Sequence, residues 1–455
     1  MSPARLIRWL ALCAGLALAA GGASAEEVTL TPAEMRAAAT HALAVGDDRT
    51  ALHLAGALLA RDPQDGAALI LQSRAARNLG DNATALKAGR AAWRLARSDS
   101  DRYAAALVTA QALSSNGQRT RAQLWLRRAA QFAPDERAEA MIARDFRYVR
   151  SRNPWSTHLR FGITPSSNIN NGSKSDTMVI GGLPFLLSGG AQALSGLEIS
   201  YGASTRYSRD LSEKLTLHLG GAIEGKAYRL SDSARRKAPD LSASDLAYQA
   251  VQLSLGATMR GARPGNPLDA TLNLGKNYYG GAHLADYAEL ELSKTVTLGR
   301  RNQLRFSLAA EEQWRKDRAD RSSSALTGQV DWRTRVGDVG LLQLSLGLRD
   351  TDSDSGTVAH SAQIAALDYR FTKPVFGAYL GLSAAYESRD YDQSLFAARP
   401  RRDDKLMLGA TLFLPEYDYY GFAPEISLSV VTNRSNEAIY ETEDLGLTLG
   451  FRSAF

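Results

Sequence analysis

The sequence predicts an α plus membrane-β protein: an N-terminal α-solenoid of about three helical repeats, then a 14-stranded antiparallel transmembrane β-barrel. Three observations carry this. The chain closes on an alternating strand, Leu445, Leu447, Leu449, Phe451 and Phe455 sharing one face. Composition changes at Asn153-Pro154-Trp155, where Ala-rich sequence gives way to Gly, Tyr, Ser and alternating apolar residues. Beyond that point the alternating segments are joined by short and longer connections in turn, as barrel hairpins are.

The first segment, residues 1–25, reads as a secretory signal peptide. Arg5 and Arg8 precede an apolar run from Leu10 to Leu18, and Ala23-Ser24-Ala25 supplies small residues for cleavage. That run is well short of the ~20 apolar residues a spanning helix needs. Cys13, the chain's single cysteine, lies inside it with Leu12 before it, where a lipidation site requires a small residue. The mature chain therefore has no thiol chemistry. Mean hydropathy is −0.25, which is compatible with a barrel because lipid-facing and lumen-facing residues alternate. The net charge of +6 falls mainly on residues 26–152 as scattered Arg. It reads as a solvated helical surface, with no nucleic-acid partner expected.

Residues 26–152 are dominated by Ala, Leu and Arg, strong helix formers. Gly46-Asp47 followed by Ala51-Leu52 recurs 34 residues later as Gly80-Asp81 followed by Ala85-Leu86. A third copy, Gly117-Gln118 followed by Ala122 and Leu124, is offset by 37. Gly46, Gly80 and Gly117 supply the turns, and Pro63 and Pro134 end the second helices of their pairs. The period resembles tetratricopeptide repeats, which implies a concave surface for a peptide or protein.

Residues 153–455 hold fourteen alternating segments, from 155–163 to 440–455, most at least the ~10 residues of a tilted membrane strand. Strand eleven is expected over 375–391 and strand thirteen over 422–431. Short turns belong on the periplasmic side and longer loops outside, with both barrel ends inside and the helical repeats in the periplasm. Acidic groups within strands, Glu224, Glu289, Glu291, Glu311 and Glu312, are expected in the lumen, with Arg206, Arg260, Arg305 and Arg349 as counter-charges. The mature chain carries no nucleophile elbow, zinc-protease helix or phosphate loop, and its six His lack ligand spacing. No catalytic residue, cofactor or metal site is expected, and the protein is not expected to be an enzyme.

Two further stretches stand out. Thr164-Pro165-Ser166-Ser167-Asn168-Ile169-Asn170-Asn171 follows the first strand. Gly421-Phe422-Ala423-Pro424, Asn433-Arg434-Ser435-Asn436 and Tyr440 precede the last. In this order, with helical repeats before a C-terminal barrel, they resemble the surface lipoprotein assembly modulators (Slam). That resemblance spans the mature chain. It implies an outer-membrane translocator that assists export or surface display of a client, either a surface lipoprotein or a soluble haem-binding-type protein. Further partners would be the barrel-assembly machinery and outer-membrane lipid. Pro165, Asn168, Ile169, Asn170, Ser435 and Asn436 form the expected seam and turn motif. Asn at 168 and 170 suits a tight turn because its side chain bonds nearby backbone. Phe451 and Phe455 form the expected barrel-assembly signal. Because first and last strands meet in a barrel, both halves of the motif are expected near the closing seam, where lateral opening would suit a lipidated client. The alternative is an exopolysaccharide export porin, which also joins such repeats to a barrel. A passive solute channel ranks below both.

Overall fold

A computed structural model describes residues 30–180, 182–261 and 265–453. The leader, Cys13 and Phe455 lie outside the described residues. The chain forms two compact units, Met1–Asp135 and Glu136–Phe455.

The first unit contains helices α1 (Pro32–Val45), α2 (Asp48–Arg61), α3 (Gly66–Asn78), α4 (Asn82–Leu95), α5 (Asp99–Ser115) and α6 (Arg119–Ala130). Their starts are written in side chains. Thr31 and Glu34 form a capping box on α1 with Pro32 at the first position, and Ser98 and Asp101 form another on α5. Asp47, Asp65 and Asp81 accept hydrogen bonds from the backbone N–H of Thr50, Ala68 and Thr84 at 3.1, 3.0 and 3.0 Å. Gly46, Gly80 and Gly117 occupy the left-handed region at φ 84°, 86° and 72°, the conformation that reverses the chain after α1, α3 and α5. The third copy is the weakest, since Gln118 makes no side-chain cap.

Consecutive helices pack together, and α1 also packs on α3 and α3 on α5, as in a stacked array. Small side chains permit this closeness. Ala39, Ala51, Ala55, Ala75, Ala76, Ala85 and Ala105 are fully buried. A methyl group on Gly89 of α4 would stand 2.6 Å from the Thr109 hydroxyl and 3.3 Å from its Cα on α5. The second unit opens with helix α7 (Glu136–Arg152).

The strands follow: β1 (Trp155–Ser166), an external hairpin of β2 (Thr177–Ile180) and β3 (Leu183–Leu186), β4 (Gly196–Asp210), β5 (Leu215–Leu230), helix α8 (Asp232–Lys237), β6 (Tyr248–Met259), β7 (Leu268–Tyr279), β8 (Ala282–Leu298) and β9 (Asn302–Arg315). The remainder are β10 (Ser323–Val336), β11 (Gly340–Ser353), β12 (His360–Phe371), β13 (Tyr379–Tyr391), β14 (Arg402–Phe413), β15 (Phe422–Ser435) and β16 (Thr442–Ser453). Strands β1 and β4 to β16 close into a barrel of fourteen, each antiparallel to its neighbours, with β16 meeting β1. Turns such as β8–β9 and β10–β11 are tight at one end, with Gly299 and Gly337 at positive φ. The other end carries the long loops 167–195, 231–247 and 392–401, shorter ones at 316–322, 354–359 and 436–441, and the β7–β8 hairpin, which joins through Gly280-Gly281 alone. Both of these glycines have positive φ, as a two-residue hairpin requires.

Alternation sorts the wall. Leu219, Leu253, Leu292, Leu308, Leu348, Leu408, Leu428 and Leu447 are exposed on the outer face, a belt that only lipid can cover. Trp155 and Tyr207 pack at 5.0 Å, and Tyr369 and Phe371 at 4.9 Å, at the short-turn end, where an interfacial girdle belongs. The opposite face is polar and paired. Arg160 meets Glu224 at 3.3 Å, Arg305 meets Glu291 at 2.9 Å, Arg349 meets Glu311 at 3.1 Å, and Glu289 accepts from Asn273 at 2.9 Å.

Three expectations are corrected. Glu312 shares the outward register of Phe306, Leu308 and Trp314, near the loop end of β9; neighbouring Glu311 and Glu312 cannot both face the lumen in a regular strand. Strand β13 starts at Tyr379, because residues 372–378 make a turn in which Phe376 has φ 51°. Strand β15 runs through Asn433 and Ser435, since Asp403 and Lys405 of β14 continue the ladder that far.

Candidate functional site: the closing seam

Every barrel strand is tied to its successor along most of its length except at one place. β1 pairs with β4 continuously from Trp155↔Tyr207 to Ser166↔Gly196. Among the described residues it pairs with β16 at Gly162↔Gly450, Ile163↔Leu449 and Ser166↔Gly446. Phe451, Arg452 and Ser453 pair with Pro424, Ala423 and Phe422 of β15 but not with β1. Among the described residues the β1–β16 ladder ends at Gly162↔Gly450 on the short-turn side. Glycines at this crossing let the strands come close: a methyl group on Gly450 would stand 3.0 Å from the Phe161 carbonyl oxygen, and one on Gly162 3.1 Å from the Thr448 methyl.

The loop half of the seam is fastened by the Ser167 N–H, which donates to the Leu445 carbonyl at 3.2 Å, and by side chains. Thr164 and Thr448 hydroxyls meet at 2.8 Å. Asp444 Oδ1 accepts from the Ser166 hydroxyl at 2.7 Å, the Ser167 hydroxyl at 3.2 Å and the Asn168 N–H at 3.0 Å. The Ser167 hydroxyl accepts from the Leu445 N–H at 2.8 Å, and Asn168 Nδ2 donates to the Glu443 carbonyl at 3.2 Å. The three bonds to the Asp444 carboxylate are charge-assisted, a class roughly twice as strong as neutral bonds.

Asn168 also folds the loop that follows. Its Oδ1 accepts from the Gly172 N–H and its Nδ2 donates to the Gly172 carbonyl, both at 2.8 Å. Asn170 Nδ2 donates to the carbonyls of Gly190 and Gln192 at 3.0 and 2.9 Å, while its Oδ1 accepts from the Leu194 N–H at 2.9 Å. Ile169 packs with Leu194, Leu230, Ala234, Ala238 and Leu246 in a small apolar core, tying loops 167–195 and 231–247 together at the outer mouth. Pro165 lies within β1 opposite Leu197.

The second half of the expected motif goes elsewhere. Ser435 pairs with Asp403 of β14, and its hydroxyl accepts from the Glu437 N–H at 3.2 Å. Asn436 donates to the Pro400 carbonyl and accepts from the Arg402 N–H, both at 2.9 Å. Both residues therefore organise the β13–β14 loop, one strand away from the seam. What the sequence reading missed is Asp444, whose signal was a carboxylate on the lumen-facing register, beside Glu443, where the Leu–Gly–Thr alternation of the last strand begins. Phe451 is exposed on the lipid-facing register of β16.

Beside the fastened end stands the β2–β3 hairpin, with Val179, Leu183, Phe185 and Leu186 exposed. The segment leading into it is anchored next to β16: Lys174 N–H donates to the Glu441 carbonyl at 2.8 Å, Lys174 pairs with the Glu441 carboxylate at 3.4 Å, and the Ser173 hydroxyl donates to the Ala438 carbonyl at 2.7 Å. Apolar surface of this kind on a loop marks contact with a partner or a membrane.

A closed barrel with an apolar outer belt and a polar interior is at home only in a bilayer, and the short-turn pattern is that of the outer membrane. The protein is an outer-membrane β-barrel. β1 begins at its short-turn end, so the chain enters the barrel from the periplasmic side. No family model matches the chain, and no curated relative matches it. Solved structures similar to it include Pseudomonas aeruginosa OpdQ (10% identity, 66% of this chain and 99% of that one, TM-score 0.34). Pseudomonas aeruginosa OccK9 (OpdG) is another (12%, 65% and 97%, TM-score 0.35), as is a bacterial polysaccharide outer membrane secretin (8%, 65% and 98%, TM-score 0.33). Likeness at those values carries no argument about function.

Proposed function

We propose that this protein is an outer-membrane translocator that assists export and surface display of client proteins, lipidated or soluble, with the β1–β16 seam as its working element. The observation that carries this reading is the seam itself, where among the described residues β1 and β16 share three ladder pairs and the Ser167 N–H to Leu445 carbonyl bond, fastened at its outer end by Asp444 and Asn168. A diffusion channel gains nothing from so weak a closure. A translocator that passes a lipidated client needs one, because acyl chains travel in the bilayer while the polypeptide travels in water. The exposed β2–β3 hairpin gives such a client an apolar surface at the outer end of the seam. In the helical unit, Trp93 lies 5.3 Å from Trp125 and 6.0 Å from Phe132, with Arg128 stacked 4.5 Å from the Trp125 ring. This half-buried aromatic group suits holding an extended segment on the periplasmic side.

The test is surface display in a heterologous Gram-negative host. Co-expression with the lipoprotein or secreted protein encoded beside the gene is expected to make that protein accessible to antibody and protease on intact cells. Client retained inside, with the barrel folded and capsule or matrix polysaccharide lost on deletion of the gene, would instead establish the glycan-export reading.

A further inference from the structure

We infer that the β2–β3 hairpin is a second membrane contact, a ribbon that enters the outer leaflet beside the seam with lipid acyl chains around it. This goes beyond the export reading and does not rest on it. The sequence prepares the ribbon for such a place, since no Asp, Glu, Lys or Arg occurs from Thr177 to Leu197. Pairing sorts its side chains into two faces. Residues directly opposite one another share a face, so Val179, Pro184 and Leu186 stand on one and Met178, Ile180, Leu183 and Phe185 on the other. Both faces are open: Val179 and Leu186 are 64% and 77% exposed on the first, Leu183 and Phe185 64% and 47% on the second.

That two-sidedness selects the occupant. A protein partner seated on a ribbon covers one face and leaves the other in water, whereas lipid surrounds both. Pro184 has no N–H to offer an incoming strand, which disfavours capture of a protein edge on β3. Four residues per strand are too few to span a bilayer, and free ribbon edges are costly in mid-hydrocarbon, so the ribbon belongs at the boundary of headgroups and acyl chains. Its anchorage points the same way. Lys174 pairs with Glu441, which precedes β16 on the register of the lipid-facing Leu445 and Leu447, and Ser173 and Lys174 are bonded to the Ala438 and Glu441 carbonyls. The chain thus leaves the mouth over the outer wall of β16, and the apolar ribbon continues the barrel's own lipid belt. Where the export reading holds, a lipidated client leaving the seam meets this ribbon through its acyl chains.

The test is the ratio of spin-label collisions with oxygen, which concentrates in lipid, to those with a water-soluble nickel chelate. The full chain, with Cys13→Ser, is placed one barrel to a nanodisc of palmitoyl-oleoyl phosphatidylcholine. Labels go on Leu183→Cys and Leu186→Cys, one for each face. Leu428→Cys in the belt is the lipid reference and Ala398→Cys in the loop 392–401 the water reference. The hairpin ratios are expected to rise to that of Leu428→Cys. Adding Val179→Asp/Phe185→Asp is expected to return the label at 186 to the value of Ala398→Cys. Heat-dependent gel mobility verifies that each variant holds a folded barrel, and every hairpin change lies outside the barrel wall. Hairpin ratios like that of Ala398→Cys overturn the inference and leave the apolar surface to a protein partner, client or second copy. Low collision with both reagents overturns it too, since the ribbon then packs on its own chain. So does a label that stays in lipid in the Asp variant, because the apolar side chains are then not what holds it there. No client is present in this measurement, so its outcome is independent of surface display.

Discussion

At the scale of single residues the molecule places its charge where backbone ends need it. Asp444 collects three donors at the outer end of the seam. Removing it takes this acceptor from the Ser166 and Ser167 hydroxyls and leaves the Asn168 N–H only the Ser166 hydroxyl at 3.0 Å, a loss on the order of 2 kcal/mol. Asp444→Ala is expected to speed amide exchange of Ser167 and Leu445 selectively, leaving the β10–β11 ladder unchanged, as read by hydrogen–deuterium exchange in detergent. The helical unit uses the same device. Hydrogen bonds with Thr50, Thr84 and Ser98 hold the carboxyls of Asp47, Asp81 and Asp101 below the ordinary aspartate value of 3.8. A group whose folded pKa is depressed stabilises the fold above its unfolded pKa and loses that contribution as pH falls through the folded one. The helical melting temperature, followed by circular dichroism at 222 nm on the full chain, is therefore expected to be flat near neutrality and to drop below pH 3.8. A melting temperature that rises on acidification would contradict the capping account.

Elements show how much a one-dimensional reading can reach. The positive-φ glycines at 46, 80 and 117 were legible because only a Gly at a fixed offset from Ala-rich helices makes sense there. Strand periodicity was legible because the period of two is strict between lipid and water. Strand ends were less so. Val375 and Phe376 look apolar enough to belong to β13, yet a turn absorbs them, and β15 outlasts its apolar run because β14 supplies backbone partners. Asn168 and Asn170 could be read as turn formers from their chemistry alone. That Ser435 and Asn436 serve β14 rather than β1 depends on which side of β15 each group points, which spacing does not encode. Gly89 belongs to the same class. Its role comes from Thr109 on the next helix, and Gly89→Leu is expected to cost about 1–3 kcal/mol through overpacking, measured as a lowered helical melting temperature with the barrel's gel mobility unchanged. Unchanged stability would mean that α4 and α5 do not meet as closely as 2.6 Å implies.

For the whole molecule, an unequal wall is the organising fact. Between β4 and β16 the hairpin ladders run nearly the full strand lengths, and paired charges such as Arg305–Glu291 and Arg349–Glu311 line the lumen. Among the described residues the closure is the shortest ladder of the wall, and toward the outside it is fastened by the Ser167 N–H on the Leu445 carbonyl and by side chains that can be released one hydrogen bond at a time. That fastening suits a path that ends beside the β2–β3 hairpin. The measurement that tests this most directly is client display on intact cells carrying Phe161→Cys/Phe451→Cys, compared before and after reduction. Display is predicted to fall to the level of cells lacking the protein while the disulfide is closed, and to recover when it is reduced. Full display through a locked seam would contradict the account, and would put the route through the lumen instead.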